Sequence, residues 1–106
     1  MDEKTKAHYK ARAAIIKAAA HPTRLFIIER LAIEEHCVCQ LTEMIGADTS
    51  TVSKHLSVLK HAGIVDDEKR GLQVWYRLKM PCVLHFIACS EKVLRDRAAS
   101  QLEAAG

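Results

Sequence analysis

Three observations predict a mainly α-helical domain of about five helices with a β-hairpin before the last one. Apolar residues recur at helical spacing in several stretches, and the period changes to two near residues 73–78. Two of the helical stretches are short and separated by about three residues that include Gly46, the spacing of a helix-turn-helix.

Each element has its own signal. Lys4 to Ala20 is alanine-rich and carries Ile15 and Ile16, a good helix by propensity. His21-Pro22 breaks it, and Pro22 suits the first turn of the next helix, where a missing N–H costs little. Leu25, Ile28, Leu31 and Ala32 then mark a buried stripe. A short third helix follows the cysteines, with Leu41, Met44 and Ile45 inward and Gly46 ending it. Asp48 or Thr49 caps the fourth helix, whose inner face is Val52, Leu56 and Leu59, and Gly63 closes it. Val74, Tyr76 and Leu78 alternate with polar or outward residues, Ile64-Val65 supplies the facing strand, and Arg70-Gly71 marks the turn. Pro81 restarts helix, where Cys82, Phe86, Cys89 and Val93 form one stripe beside Val83, Ile87 and Leu94; the polar tail after Arg95 is expected to fray. The sum is a winged helix-turn-helix.

At 106 residues the chain reads as one domain, 1–106, small enough to gain from dimerising. No apolar run approaches the ~18 residues of a membrane helix, and the charged start Met1-Asp2-Glu3-Lys4 does not resemble a signal peptide. A cytoplasmic location without membrane partners is therefore expected. A net charge of +3 does not by itself establish nucleic-acid binding. The placement of charge and hydroxyls says more. With Val52, Leu56 and Leu59 inward, the fourth helix exposes Thr49, Ser50, Thr51, Ser53, Lys54 and Ser57, with His55 a further candidate. Short hydroxyls and a lysine fit a major groove because they donate and accept without bulk. Lys60 adds positive charge, and Lys69 and Arg70 at the hairpin tip are placed for phosphates or the minor groove.

Cys37-Val38-Cys39 stands at the mouth of this unit. Four cysteines in a cytoplasmic chain are expected to stay reduced, which favours metal binding or redox sensing over a disulfide framework. Thiolate sulfur is soft and suits As(III), Sb(III), Cd(II), Pb(II) or Zn(II). On a regular helix residues i and i+2 lie ~200° apart, so joint ligation needs this pair outside regular helix or a distorted first turn. A further thiol would be Cys89 or Cys82, with Cys89 favoured; both also fit an apolar helix stripe simply as packing. Enzyme chemistry is not expected: the cysteines are C-x-C rather than C-x-x-C, and no phosphate-binding glycine loop or nucleophile elbow is present.

His21-Pro22-Thr23-Arg24-Leu25, the run Thr51-Val52-Ser53-Lys54-His55-Leu56-Ser57-Val58-Leu59-Lys60-His61-Ala62-Gly63-Ile64-Val65, and Arg70-Gly71 through Trp75-Tyr76-Arg77-Leu78 closely resemble the ArsR/SmtB family of metal-responsive repressors. The resemblance covers about residues 10 to 90. It implies a homodimer joined through 4–20 and 81–98. It also implies a repressor that binds a palindromic double-stranded operator and is released by an inducer. Cys-Val-Cys at this position resembles the inducer site of the arsenic- and cadmium/lead-sensing members, which makes As(III) the leading inducer. A Cd/Pb/Zn-responsive repressor, or a thiol-redox or persulfide sensor on the same fold, is the alternative. Arsenic sensors of one type carry a third cysteine shortly after the pair, whereas this chain reads Gln40-Leu41-Thr42.

Overall fold

The computed structural model describes residues 1–105, so Gly106, the last residue of the expected domain, lies outside the described residues. The elements run α1 (Glu3–Ala19), α2 (Pro22–Ile33), β1 (His36–Cys37), α3 (Val38–Ile45), α4 (Thr49–His61), β2 (Val65–Arg70), β3 (Gln73–Leu78) and α5 (Val83–Ala105). The winged helix-turn-helix order is the expected one. α3 and α4 form the helix pair, and β2 and β3 form the wing.

Capping residues set the helix starts. Asp2 accepts from the Thr5 N–H at 2.7 Å, His21 Nδ1 from Thr23 at 3.1 Å, and Asp48 from Thr51 at 2.7 Å, each removing an orphan donor of a first turn. Gly46 ends α3 with φ +77, a left-handed conformation that a side chain would disfavour and that turns the chain into α4. The core lies where α2, α3, α4 and the sheet meet. Ile27, Ile28, Leu41, Val52, Leu56, Leu59 and Ile64 are wholly closed from solvent.

Several local expectations are corrected. In α2 the buried set is Ile27, Ile28 and Leu31, while Ala32 is exposed, because the buried stripe begins one residue after Phe26 rather than at Leu25. Met44 is 42% exposed, since the eight residues of α3 give Leu41 alone a fully inward position. The strand facing β3 begins at Val65 and runs to Arg70, paired from Val65↔Leu78 to Arg70↔Gln73. α5 begins at Val83 and continues through Ala105 where fraying was expected; its alanine content favours helix without tertiary support. The α5 stripe is mostly open: Cys82, Phe86, Cys89, Val93 and Leu94 are exposed, and Ile87 is the buried residue of that helix.

β1 was not expected. It is two residues long and pairs antiparallel with β3, His36↔Tyr76 and Cys37↔Trp75, giving a three-stranded sheet of order β1-β3-β2. The entry to the helix-turn-helix is thus hydrogen-bonded to the wing.

Candidate nucleic-acid interface and thiol site

Burial of Val52, Leu56 and Leu59 turns the opposite face of α4 outward, and Thr49, Ser50, Thr51, Ser53, Lys54 and Ser57 are all exposed there. Ser50 donates its hydroxyl to Asp48 at 3.0 Å, and hydrogen bonds from Thr51 and Ser50 hold the Asp48 carboxyl below the usual carboxylate range. The helix start is therefore ordered before any ligand arrives. His55 is placed differently. It is half-buried with its ring 4.5 Å from that of His21, and burial, then electrostatic repulsion from His21 and Arg24, pushes its pKa down. Lys60 is engaged by Asp67 at 2.9 Å, and that hydrogen bond raises its pKa.

Both arginines of the wing are ion-paired. Arg70 Nη2 lies 2.7 Å from Glu35 and 3.0 Å from Glu68, with its guanidinium 5.3 Å from the Trp75 ring centre. Arg77 meets Asp66 at 3.0 Å. Among the described residues, Lys54 and Lys69 form no ion pair. Lys54 with the hydroxyls of Thr49, Thr51, Ser53 and Ser57 on α4, and Lys69 on the wing, are thus groups that no side-chain partner engages among the described residues, of the kind that meets phosphates and base edges.

The cysteines stand between these two parts. Cys37 ends β1 with extended backbone (φ -79, ψ 163) and serves as the N-cap of α3. Its sulfur accepts from the Gln40 N–H at 3.4 Å, while Gln40 Oε1 accepts from the Cys37 N–H at 3.2 Å and contacts His36 Nδ1 at 3.2 Å. This is a capping box with a cysteine sulfur in the usual hydroxyl position. Because Cys37 lies outside the helix and Cys39 in its first turn, the two side chains converge despite their i, i+2 spacing. They are joined as a disulfide with Cα atoms 5.4 Å apart. The expectation that all four thiols stay reduced is corrected for this pair: extended backbone at Cys37 swings its sulfur onto that of Cys39.

The pair is asymmetric. Cys37 is 2% exposed, whereas Cys39 is open to solvent and accepts a 3.7 Å hydrogen bond from Gln73 Nε2 on β3. Beside them lies an open cavity of about 320 Å3, bounded by Thr49 and Ser53 of α4 and by Leu72, Gln73 and Val74 of the wing. Cys82 and Cys89 are free and exposed at the far helix. Among the described residues no three His, Cys, Asp or Glu side chains come together as a metal site, so the protomer does not bring Cys82 or Cys89 to the Cys37–Cys39 pair. No helix of the described residues is long and apolar enough to cross a membrane.

Sequence reasoning missed Gln40, Gln73 and Glu35. Gln40 had a signal, since a Gln three residues after an N-cap fits the capping box. Gln73 and Glu35 had none, because each meets its partner, Cys39 or Arg70, across more than thirty residues of chain.

Comparison with known proteins agrees with this geometry. Residues 21–67, spanning α2 through the start of β2, match the family described as bacterial regulatory protein, arsR family. The uncharacterized HTH-type transcriptional regulator Rv0081 of Mycobacterium tuberculosis is 33% identical over 87 residues, 81% of this chain and 76% of that protein. Its crystal structure superposes with a TM-score of 0.76 at 30% identity, covering 89% of this chain and 95% of the other. The HTH-type transcriptional repressor SmtB of Mycobacterium tuberculosis is 34% identical over 77 residues, 73% of this chain and 57% of the repressor. The homodimeric winged helix-turn-helix DNA-binding domain Mb0332 of Mycobacterium bovis, solved by NMR, gives a TM-score of 0.77 at 26% identity, covering 92% and 91%. These relatives are transcriptional regulators and DNA-binding domains, not enzymes.

Proposed function

This chain belongs to the ArsR family of bacterial regulatory proteins, and on that premise we propose that it is a homodimeric transcriptional repressor whose operator affinity is set by the oxidation state of Cys37 and Cys39. Repression is supported by the likeness to SmtB, and dimerisation by the homodimeric Mb0332 domain and by the open apolar residues of α1 and α5. A dimer sets two α4 helices in successive major grooves of double-stranded DNA, about 34 Å apart. Thr49, Ser50, Thr51, Ser53, Lys54 and Ser57 then face the bases and backbone.

The observation that carries the redox reading is the disulfide itself, formed where Cys37 is both the end of β1 and the N-cap of α3. Breaking or forming it changes the cap of α3, on which α4 packs, and changes the partner that Gln73 meets on the wing. A second reading keeps the same site with a different chemistry. Two converging sulfurs on an open cavity also suit As(III), or Sb(III), Cd(II), Pb(II) or Zn(II), with Cys89 or Cys82 of the partner subunit as a third ligand.

The test uses an operator duplex selected from a random-sequence pool. Oxidation of the reduced protein is expected to weaken binding by at least about tenfold, roughly 1.4 kcal/mol. The double variant Cys37→Ser with Cys39→Ser binds throughout and does not respond. Release of that variant by oxidant would remove this pair as the sensor. Release of the reduced wild type by arsenite, with no effect of oxidant, would assign the second reading instead.

A further inference from the structure

We propose that the cavity beside Cys39 is a site for a low-molecular-weight thiol, which enters by forming a mixed disulfide on Cys39 and expelling Cys37 as a thiolate. This rests on the redox reading above and specifies which sulfur is attacked and what is held there.

Two features of the site give the exchange its direction. Thiol–disulfide exchange is an in-line attack by a thiolate on one sulfur, so access decides which sulfur is hit. Both cysteines border the cavity, but Cys37 is 2% exposed whereas Cys39 is open to solvent. The departing group is equally unequal. Both sulfurs lie at the positive end of α3, but a thiolate released at Cys37 retains the Gln40 backbone N–H at 3.4 Å as donor, whereas one released at Cys39 has only the Gln73 side-chain amide at 3.7 Å. Both considerations select the same bond polarity.

The balance is simple. A small thiolate forms a bond to Cys39 Sγ as the Cys37–Cys39 bond breaks, and the electron pair leaves on Cys37. A second small thiolate then attacks the mixed disulfide, releasing the small-molecule disulfide and Cys39 as thiolate. The protein disulfide is reduced by two electrons and two small thiols are oxidised.

The cavity gives the adduct a place. At about 320 Å3 it falls at the lower edge of the ~300–1,000 Å3 range of small-molecule sites. Its walls are the part that matters. Thr49 and Ser53 belong to the reading face of α4, and Leu72, Gln73 and Val74 belong to the wing. An adduct on Cys39 displaces the Gln73 amide and sits between the two DNA-contacting elements. The thiolated form is then a third state, distinct from both the disulfide and the dithiol.

The experiment uses the full chain carrying Cys82→Ser and Cys89→Ser, both positions being exposed. The oxidised protein is mixed with glutathione, quenched in acid, alkylated and fragmented in the mass spectrometer. Glutathione is expected on Cys39 and alkyl on Cys37, with a preference above about tenfold, as access controls the attacked sulfur. Glutathione on Cys37, or shared evenly, would overturn the proposal. So would failure to trap any adduct with a protein that dithiothreitol reduces. As a second arm, Val74→Phe is expected to slow glutathione more than β-mercaptoethanol; equal slowing with native circular dichroism would remove the cavity from the site. Equal operator affinity of the oxidised and reduced forms would sink the redox reading while leaving the adduct position intact, so the two failures are separable.

Discussion

The two halves of the molecule finish their cores differently. Around α4 the chain closes its own interior, with Val52, Leu56 and Leu59 sealed against Ile27, Ile28, Leu41 and Ile64. Along α1 and α5 the apolar side chains face outward: Ile16 is 57% exposed and Phe86 66%, and an apolar cavity of about 470 Å3 lies between the helices. The first half holds the reading helix in position with nothing but this chain. The second half leaves its apolar face open in the protomer, and under the dimer reading the partner covers it and sets the distance between two reading helices. On that reading, the geometry and the spacing of the reading helices are encoded in separate parts of the fold.

Substitutions at matching positions break the comparison in opposite ways. Leu56→Ala removes a fully enclosed side chain, and unfolding in urea is expected to show a loss of about 2–5 kcal/mol. A loss below about 1 kcal/mol would mean that the α4 half is not the autonomous core described here. Phe86→Glu is expected to leave the helix content unchanged and to weaken association by at least about 2 kcal/mol, roughly thirtyfold. The melting temperature of the variant then no longer rises with protein concentration, as that of a dimer does. A dimer unaffected by Phe86→Glu would place the joining surface elsewhere.

A smaller effect sharpens the first half of the contrast. Burial beside His21 and Arg24 lowers the His55 pKa from its ordinary 6.5. As pH falls through 6.5 the unfolded chain takes up this proton first, so stability is lost from there down to the lower folded value. Melting temperature followed from pH 7.5 to 5.5 is expected to fall more steeply for the wild type than for His55→Gln, in a window set by about 6.5 and below. Parallel slopes would show that His55 is not held neutral by its packing.

The helices and the wing were legible because their signals are local: a period of three to four residues, a proline at a helix start, a glycine at a helix end. Asp48 as a cap and Val52, Leu56 and Leu59 as the inner face follow from such signals, and the exposed face of α4 follows from them in turn. The rest depends on partners distant in sequence. β1 exists because two residues meet Trp75 and Tyr76, and nothing in His36-Cys37 alone specifies a strand. Its formation is also what takes Cys37 out of helix and lets two cysteines at i, i+2 join. Arg70 and Lys60 read as free cations in the sequence, yet Glu35 and Asp67 claim them in the fold. The exposed stripe of α5 is apolar in pattern and open in the protomer, since periodicity tells that a face will be covered and not by which chain.

The two-residue strand has one more consequence. Order β1-β3-β2 makes β1 the cover over one side of β3, the strand that carries Val74, Trp75 and Tyr76. An uncovered strand with such side chains is a template for pairing with other molecules. Any rearrangement at Cys37 large enough to peel β1 away would expose that template and trade regulation for aggregation. Solubility therefore limits how far this corner can move: a response confined to the cap of α3 and the side chain of Cys39 keeps the sheet closed, and a larger one does not.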